Sequence, residues 1–315
     1  MTFILRRLVQ AIPVIILASI PIFMILHAAP GDPALMLAGE DASDAQIEAV
    51  RRNLGLDRPL VEQYVTWLRD LVTGDLGRSF ISGLPVSRLI IQRLPATIEL
   101  AVTAMILSVL ISVPLGAWAA VSRGKTVDRL ITVGTTFGIA VPNFWIAILL
   151  VLLFGLTLRL LPAGGYVSIL DDPLRGFVYL ILPAGTLAIS LSANLARFVR
   201  ASMLEVLPQD YIRTARSKGL RSGLVIYRHA LRNSLIPMLT VLGVQFGRLL
   251  AGSIIIESIF TWPGIGNLML TAIRSRDFPV IQGTLAFFML IVILTNLFTD
   301  MMYGAVDPRI RLRGR

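Results

Sequence analysis

The chain has 315 residues, 55% of them apolar and only 15% charged, with a formal charge of +10. A soluble domain carries about a quarter charged residues, so this composition excludes an ordinary soluble fold. The absence of Cys excludes disulfide frameworks, thiol nucleophiles and Cys-ligated metals, and His27 and His229 alone cannot build a His-rich metal site.

Apolar stretches fall near residues 8–28, 98–120, 130–158, 177–196, 236–258 and 280–302. Each approaches or exceeds the roughly twenty residues that cross a bilayer core. They predict an all-α integral membrane protein with six transmembrane helices. The first follows Arg6 and Arg7, as a signal peptide would. Its apolar run is longer than the usual h-region of roughly 7–15 residues, and Pro30 sits at any plausible cleavage point. A retained helix is expected.

The loop 29–97 is more than a linker. Ala45 to Leu54 and Pro59 to Val72 read as two short amphipathic helices, the second with Leu60, Tyr64, Trp67, Leu68 and Leu71 on one side. Asn53-Leu54-Gly55 and Gly74-Asp75 read as stops. Together they predict a small helical cap outside the membrane, serving either as a docking surface or as packing over helix ends. In the third span, Leu130 to Leu158, the length allows a tilt or a bend at Pro142. Gly243, Gly247, Ala251 and Gly252 in the fifth predict close helix packing.

Basic residues set the orientation. With a cytoplasmic N-terminus, the inside segments hold Arg6 and Arg7, then Arg123, Lys125 and Arg129, then the run from Arg197 to Arg232, then Arg309, Arg311, Arg313 and Arg315. The short outside loops hold only Arg159, Arg175, Arg274 and Arg276; the long loop 29–97 adds seven more, offset by acids such as Glu40, Asp41, Asp44, Glu48 and Asp57, and loops longer than about 60 residues obey the rule poorly. The positive excess is therefore topogenic, no nucleic-acid partner is implied, and both termini are expected in the cytoplasm. Gly124-Lys125-Thr126 resembles the tail of a P-loop, but the first glycine would fall at Ala119 and no strand precedes it. No nucleotide site is expected.

Charged residues inside the spans are few. Arg248 lies in the fifth span, a possible lining of a pathway. Glu257 is nine residues on, which puts it on roughly the opposite helix face. Glu99, Glu257 and Asp300 read as structural. A secondary, ion-coupled transporter usually places carboxylates or ion-paired charges at mid-membrane. That alternative is thinly supported.

The stretch Ala201 to Pro237 carries the strongest local signal. Asp210 is placed to cap a short helix and Gly219 to end it, with Arg216 and Lys218 in the last turn, where cations suit the helix dipole. A second helix, from about Ser222 to Leu235, leads back toward the bilayer, with Pro237 near its end. A rigid, short, exposed helix suits insertion into a cleft on a soluble partner.

From Asp210-Tyr211-Ile212-Arg213-Thr214-Ala215-Arg216-Ser217-Lys218-Gly219-Leu220 through Arg228-His229-Ala230-Leu231-Arg232-Asn233-Ser234-Leu235-Ile236-Pro237, the sequence resembles the coupling segment of binding-protein-dependent ABC importer permeases of the dipeptide/oligopeptide type. Pro30-Gly31-Asp32-Pro33, Leu54-Gly55-Leu56-Asp57, Gly74-Asp75-Leu76-Gly77-Arg78-Ser79, Leu94-Pro95-Ala96-Thr97 and Trp262-Pro263-Gly264-Ile265-Gly266 resemble the first-permease type of those systems, in the same order. The broader permease signature has Glu-Ala-Ala before a Gly. Here Arg213, Thr214 and Ala215 hold the triplet, so only Ala215 and Gly219 fit it, as in the peptide subfamily.

The resemblance implies a type I ABC importer permease fold, with residues 1–93 as an entry helix and periplasmic cap, 94–303 as the permease core and 304–315 as a basic cytoplasmic tail. It implies a place in the bacterial inner membrane. It also implies a second homologous permease subunit, two ATP-binding subunits and a soluble substrate-binding protein as partners. ATP would be bound and hydrolysed by the partner ATPase subunits, with no cofactor or metal on this chain. Asp210, Tyr211, Arg213, Thr214, Ala215 and Gly219 would couple to the ATPase, with Ala215 facing the partner. Peptides are the implied cargo, with glutathione, nickel chelates, haem or oligosaccharides as further possibilities.

Overall fold

The computed structural model describes residues 2–28, 32–39 and 41–306. Pro30-Gly31 of the first motif, Glu40 and the basic tail from Asp307 onward lie outside the described residues. The chain divides into two compact units, one of residues 1–94 with 268–293, the other of residues 95–267 with 294–315.

In the first unit, α1 (Thr2–Ala28) is followed by α2 (Pro33–Ala38), α3 (Asp44–Asn53) and α4 (Leu60–Thr73). Asp32 caps α2 through its side chain and pairs with Arg51 of α3. The two loop helices expected from the sequence are α3 and α4, and Gly55 and Gly74 end them with positive φ. The predicted aromatic side of α4 seats it on α1. The Tyr64 hydroxyl lies 2.7 Å from Ser19 Oγ, and Tyr64 and Trp67 pack on Phe23 with ring centroids 5.4 and 5.9 Å away. Leu60, at the start of that stripe, is exposed.

The turn after α4 is tied to residues far along the chain. Asp277 accepts from Ser79 Oγ and from the Phe80 N–H, and Ser79 Oγ in turn accepts from the N–H groups of Ile81 and Ser82. Gln282 donates to the carbonyls of Ile22 and Phe23 in α1.

The second unit is built around α8 (Pro173–Val206), which Pro173 begins and Asp172 caps by accepting from the Arg175 N–H. Leu180, Leu187, Leu195, Val199 and Met203 are among its many buried side chains. Against it pack α6 (Thr126–Ala140), α7 (Asn143–Leu150), α11 (Arg232–Ser234), α12 (Ile236–Gly252) and α13 (Ile254–Ile259). Small residues permit the closeness. A Cβ on Gly138 would lie 2.9 Å from Ala193 Cβ, and one on Gly243 would strike Thr299. Gly247 meets Thr295 in the same way, whereas Gly252 faces open space.

The helix α5 (Val86–Val121) begins well before the apolar stretch the sequence marks, and α15 (Phe278–Val306) includes the last one. Among the described residues, three helices, Val86–Val121, Pro173–Val206 and Phe278–Thr299, are long and apolar enough to cross a membrane. The third predicted span is broken. Thr126–Ala140 and Asn143–Thr157, the latter ending in a π-helical stretch from Val151, meet at 99°. Pro142 has no N–H for the helix and biases the preceding residue to extended backbone, which Val141 adopts. Shorter apolar helices at Ile12–Ala28 and Val241–Leu250 fall in the first and fifth predicted spans. A helix that the sequence reading lacks, α14 (Ile265–Arg274), precedes α15.

Candidate functional site

The segment after α8 folds as a short helix clamped to its own chain. The helix α9 (Asp210–Ser217) has Gln209 as its cap residue, without a side-chain cap. Asp210, expected as the cap, is instead the first helical residue, where it is fully exposed and 3.6 Å from Arg213. Its carboxylate still suits the positive end of the helix. At the other end Gly219 has a φ of 76°, the left-handed conformation the sequence predicts. Its N–H donates to the Arg216 carbonyl.

The helix has two faces. Ile212 is wholly buried and Ala215 is 8% exposed, whereas Tyr211, Arg213, Thr214, Arg216 and Ser217 are exposed. The element that packs on α9 is the π-helical stretch Val225–Leu231, which lies in the helical run from α10 (Ser222–Leu224) to α11. Ala215 therefore faces its own chain. The expectation that it faces the partner is corrected: it lies three residues from Ile212 on the covered face of the helix. The side turned outward carries Tyr211, Thr214 and Ser217.

Polar contacts tie this segment together and to α8, and α8 to α6. Asn233 donates to the Tyr211 hydroxyl at 2.9 Å, and Ser202 donates to the Ser234 carbonyl at 3.0 Å. Further back on α8, Arg200 grips Asp128 of α6 with two charge-assisted bonds of 2.6 and 2.9 Å. Asp128 also accepts from the Gly124 N–H, so the Gly124-Lys125-Thr126 stretch is the turn entering α6. A displacement of α9 must carry Asn233 with it or break the Tyr211–Asn233 bond.

Comparison with known proteins decides what this arrangement belongs to. The profile of the family "Binding-protein-dependent transport system inner membrane component" matches residues 112–312, and the N-terminal profile of the same family matches residues 1–101. This chain belongs to that family. A putative peptide transport system permease of Brucella abortus is 46% identical over 98% of both chains. A probable peptide ABC transporter permease of Sinorhizobium fredii is 43% identical over 98% of this chain and 99% of its own. A glutathione transport system permease of Escherichia coli is 40% identical over 99% of this chain and 100% of its own. An amino acid ABC transporter of known structure matches at a TM-score of 0.46 and 18% identity, over 71% of this chain and 94% of that one.

In this permease, two of the sequence motifs fold together around one buried acid. Glu257 of α13 is completely buried. It accepts from Ser253 Oγ at 2.8 Å, Thr97 Oγ1 at 3.1 Å and the Asn267 N–H at 2.9 Å. Thr97 Oγ1 accepts from the Ile265 N–H at 2.8 Å, and the Trp262 indole donates to the Ala96 carbonyl at 2.8 Å. Leu94-Pro95-Ala96-Thr97 and Trp262-Pro263-Gly264-Ile265-Gly266 are thus two halves of one cage. The glycines are needed for approach: a Cβ on Gly264 would sit 2.4 Å from the Glu257 carboxyl carbon, and one on Gly266 would sit 2.6 Å from Ile254 Cα. Tyr166 closes over Trp262 edge-on, with centroids 4.7 Å apart, and burial raises its phenol above the ordinary tyrosine range.

The structural role the sequence assigns to Glu257 is therefore seen with its partners, although no spacing rule links 97 to 257. The usable signal was chemical, since a buried carboxylate must find donors. Arg248, on α12, is exposed on the surface of the chain.

Proposed function

We propose that this permease forms half of an ATP-driven import pathway for peptides, glutathione-like tripeptides among them, with a second homologous permease as the other half. A soluble substrate-binding protein delivers the cargo, and two ATP-binding subunits bind and hydrolyse ATP, none being bound here. The chain crosses the bacterial inner membrane six times with both termini in the cytoplasm. Residues 1–93 provide the entry helix and periplasmic cap, and 94–303 the core. The relatives named for peptide and glutathione transport support this cargo.

Its central support is the two-faced helix α9. Ile212 and Ala215 hold it to the permease while Tyr211, Arg213, Thr214 and the neighbouring Asp210 remain available to an ATPase cleft. Gly219 releases the chain from the helix with a left-handed turn that a side chain would strain. Closure of the ATPase pair on ATP moves α9, and the α8 and α11 contacts carry that motion into the bundle, whose two packings the partners bias. Reconstituted with its partners in proteoliposomes, the complex takes up peptide with ATP and receptor and without an ion gradient. Uptake that follows an ion gradient and ignores ATP would overturn the reading.

A further inference from the structure

An arginine on the outside of an isolated membrane helix is a question of what it faces. The run α12–α13 extends from Ile236 to Ile259, and Arg248 sits at its centre, about 17 Å from either end. The hydrocarbon core is about 30 Å thick, so this places the guanidinium helix position near mid-bilayer. Exposed side chains on other helices of this unit are apolar. On α5 the exposed positions are Ile98, Val102, Ile106 and Leu110, and on α7 they are Phe144, Trp145, Ile148 and Leu149. A guanidinium among lipid tails is costly, and such groups face a bundle interior or a water-filled cavity in the assembled protein.

The helix alongside carries polar groups from that depth toward its C-terminal end. Along the middle of α8, Leu187, Ala188, Leu191, Ser192, Ala193, Leu195 and Ala196 are buried. Asn194 and Arg197 are exposed and Ser190 is half-buried, with Ile189 the one exposed apolar neighbour. Ser190, Asn194 and Arg197 fall on one face by helical spacing. The hydrogen bond from Ser202 to the Ser234 carbonyl fixes the register of α8 against the start of α12. From that bond, Arg248 lies about 21 Å along one helix and Ser190 about 18 Å along the other. The two are therefore level to within about one helical turn. The nearest acid in sequence, Glu257, is closed inside its own cage.

The geometry points to a carboxylate-binding waist in the translocation pathway, with Arg248 as the cation, Ser190 as a neutral polar group at its level, and Asn194 about 9 Å further toward Ser202 on the same face. Its ligand class is an anionic group, the free C-terminal carboxylate of a peptide. A guanidinium is always charged and matches a carboxylate with two parallel bonds. An open surface with water on one side lets that group bind briefly and move on, with Arg197 further along the same face. This inference rests on the permease reading of the chain.

The test uses the complete transporter in proteoliposomes, with saturating receptor and trialanine as the probe. Arg248→Met lowers ATP-driven uptake about tenfold or more, the worth of one charge-assisted pair, while Arg248→Lys keeps a substantial share. Asn194→Asp, an isosteric change that adds an anion on the same face between the level of Arg248 and Arg197, lowers uptake at least about fivefold by competing with the substrate carboxylate for the arginine. Parental uptake in Arg248→Met, or in Asn194→Asp, overturns the carboxylate site. So does loss of the second permease on purification of both Arg248 variants, which would make Arg248 a subunit contact. If Arg248→Met alone fails to assemble, Asn194→Asp decides. A parent complex that shows no ATP-driven uptake is a different result, and it sinks the importer reading itself.

Discussion

At Gly264 and Gly134 the same substitution has opposite consequences. A methyl group on Gly264 would be driven into the Glu257 carboxyl group, whereas a Cβ on Gly134 in α6 meets nothing within 4 Å. Gly264→Ala is expected to destabilise the purified permease by about 2 kcal/mol or more, because the cage must open or leave donors unpaired. Gly134→Ala should be neutral or stabilising by up to about 1 kcal/mol through helix propensity. Thermal unfolding in detergent, run on both, reads the difference. Gly219 is a third case, since the space around it is empty and its conformation alone excludes a side chain. Gly219→Val should cost about 1–2 kcal/mol in strain, leave membrane insertion intact, and reduce receptor-stimulated ATP hydrolysis by the reconstituted complex.

Helix α9 separates two effects that one mutation would confuse. Ala215→Arg forces a long cation into the layer between α9 and the 222–234 run, so it should lift the helix from its seat. Hydrogen exchange at 210–217 should then rise, and uptake should be lost while the chain still inserts. Thr214→Trp enlarges the outward face instead. It should leave exchange at 210–217 as in the parent and weaken co-purification with the ATPase subunits. Single neutralisation of Arg216 or Lys218 should change little, because exposed charges contribute weakly. The Asp128–Arg200 pair predicts a further separation. Asp128→Asn removes the charge but keeps the shape, so α6 and α8 should loosen at that end, with uptake per ATP hydrolysed falling more than hydrolysis itself.

For the molecule as a whole, orientation and silence are the measurable properties. Reporter fusions after Ser122, near Lys218 and at Arg315 should report cytoplasm, and fusions near Asp57, Gly165 and Arg274 should report the outside. A fusion near Lys218 found outside would separate α9 from any cytoplasmic ATPase. The purified permease alone should hydrolyse no ATP, and activity should appear only with the ATP-binding subunits. The 99° break at Val141-Pro142 belongs to this scale too. Proline chemistry predicts a bend, but only the packing of α6 and α7 on α8 sets its size.

The sequence by itself determined the membrane class, the helices α3 and α4 with their glycine stops, the position of the short helix α9 and the left-handed Gly219, and it left a tilt or a bend open at Pro142. These are local properties, set by composition, periodicity and backbone preference over a few residues. Only the tertiary structure decided that Ala215 faces inward, because the stretch Val225–Leu231 packs on α9, and it set Asp210 as the first helical residue, not the cap. Only the tertiary structure joined Thr97 to Glu257, Ser79 to Asp277 and Asp128 to Arg200. Each of those contacts spans many tens of residues. A sequence pattern shows that a buried acid or hydroxyl needs a partner, but which distant group supplies it depends on how the helices pack.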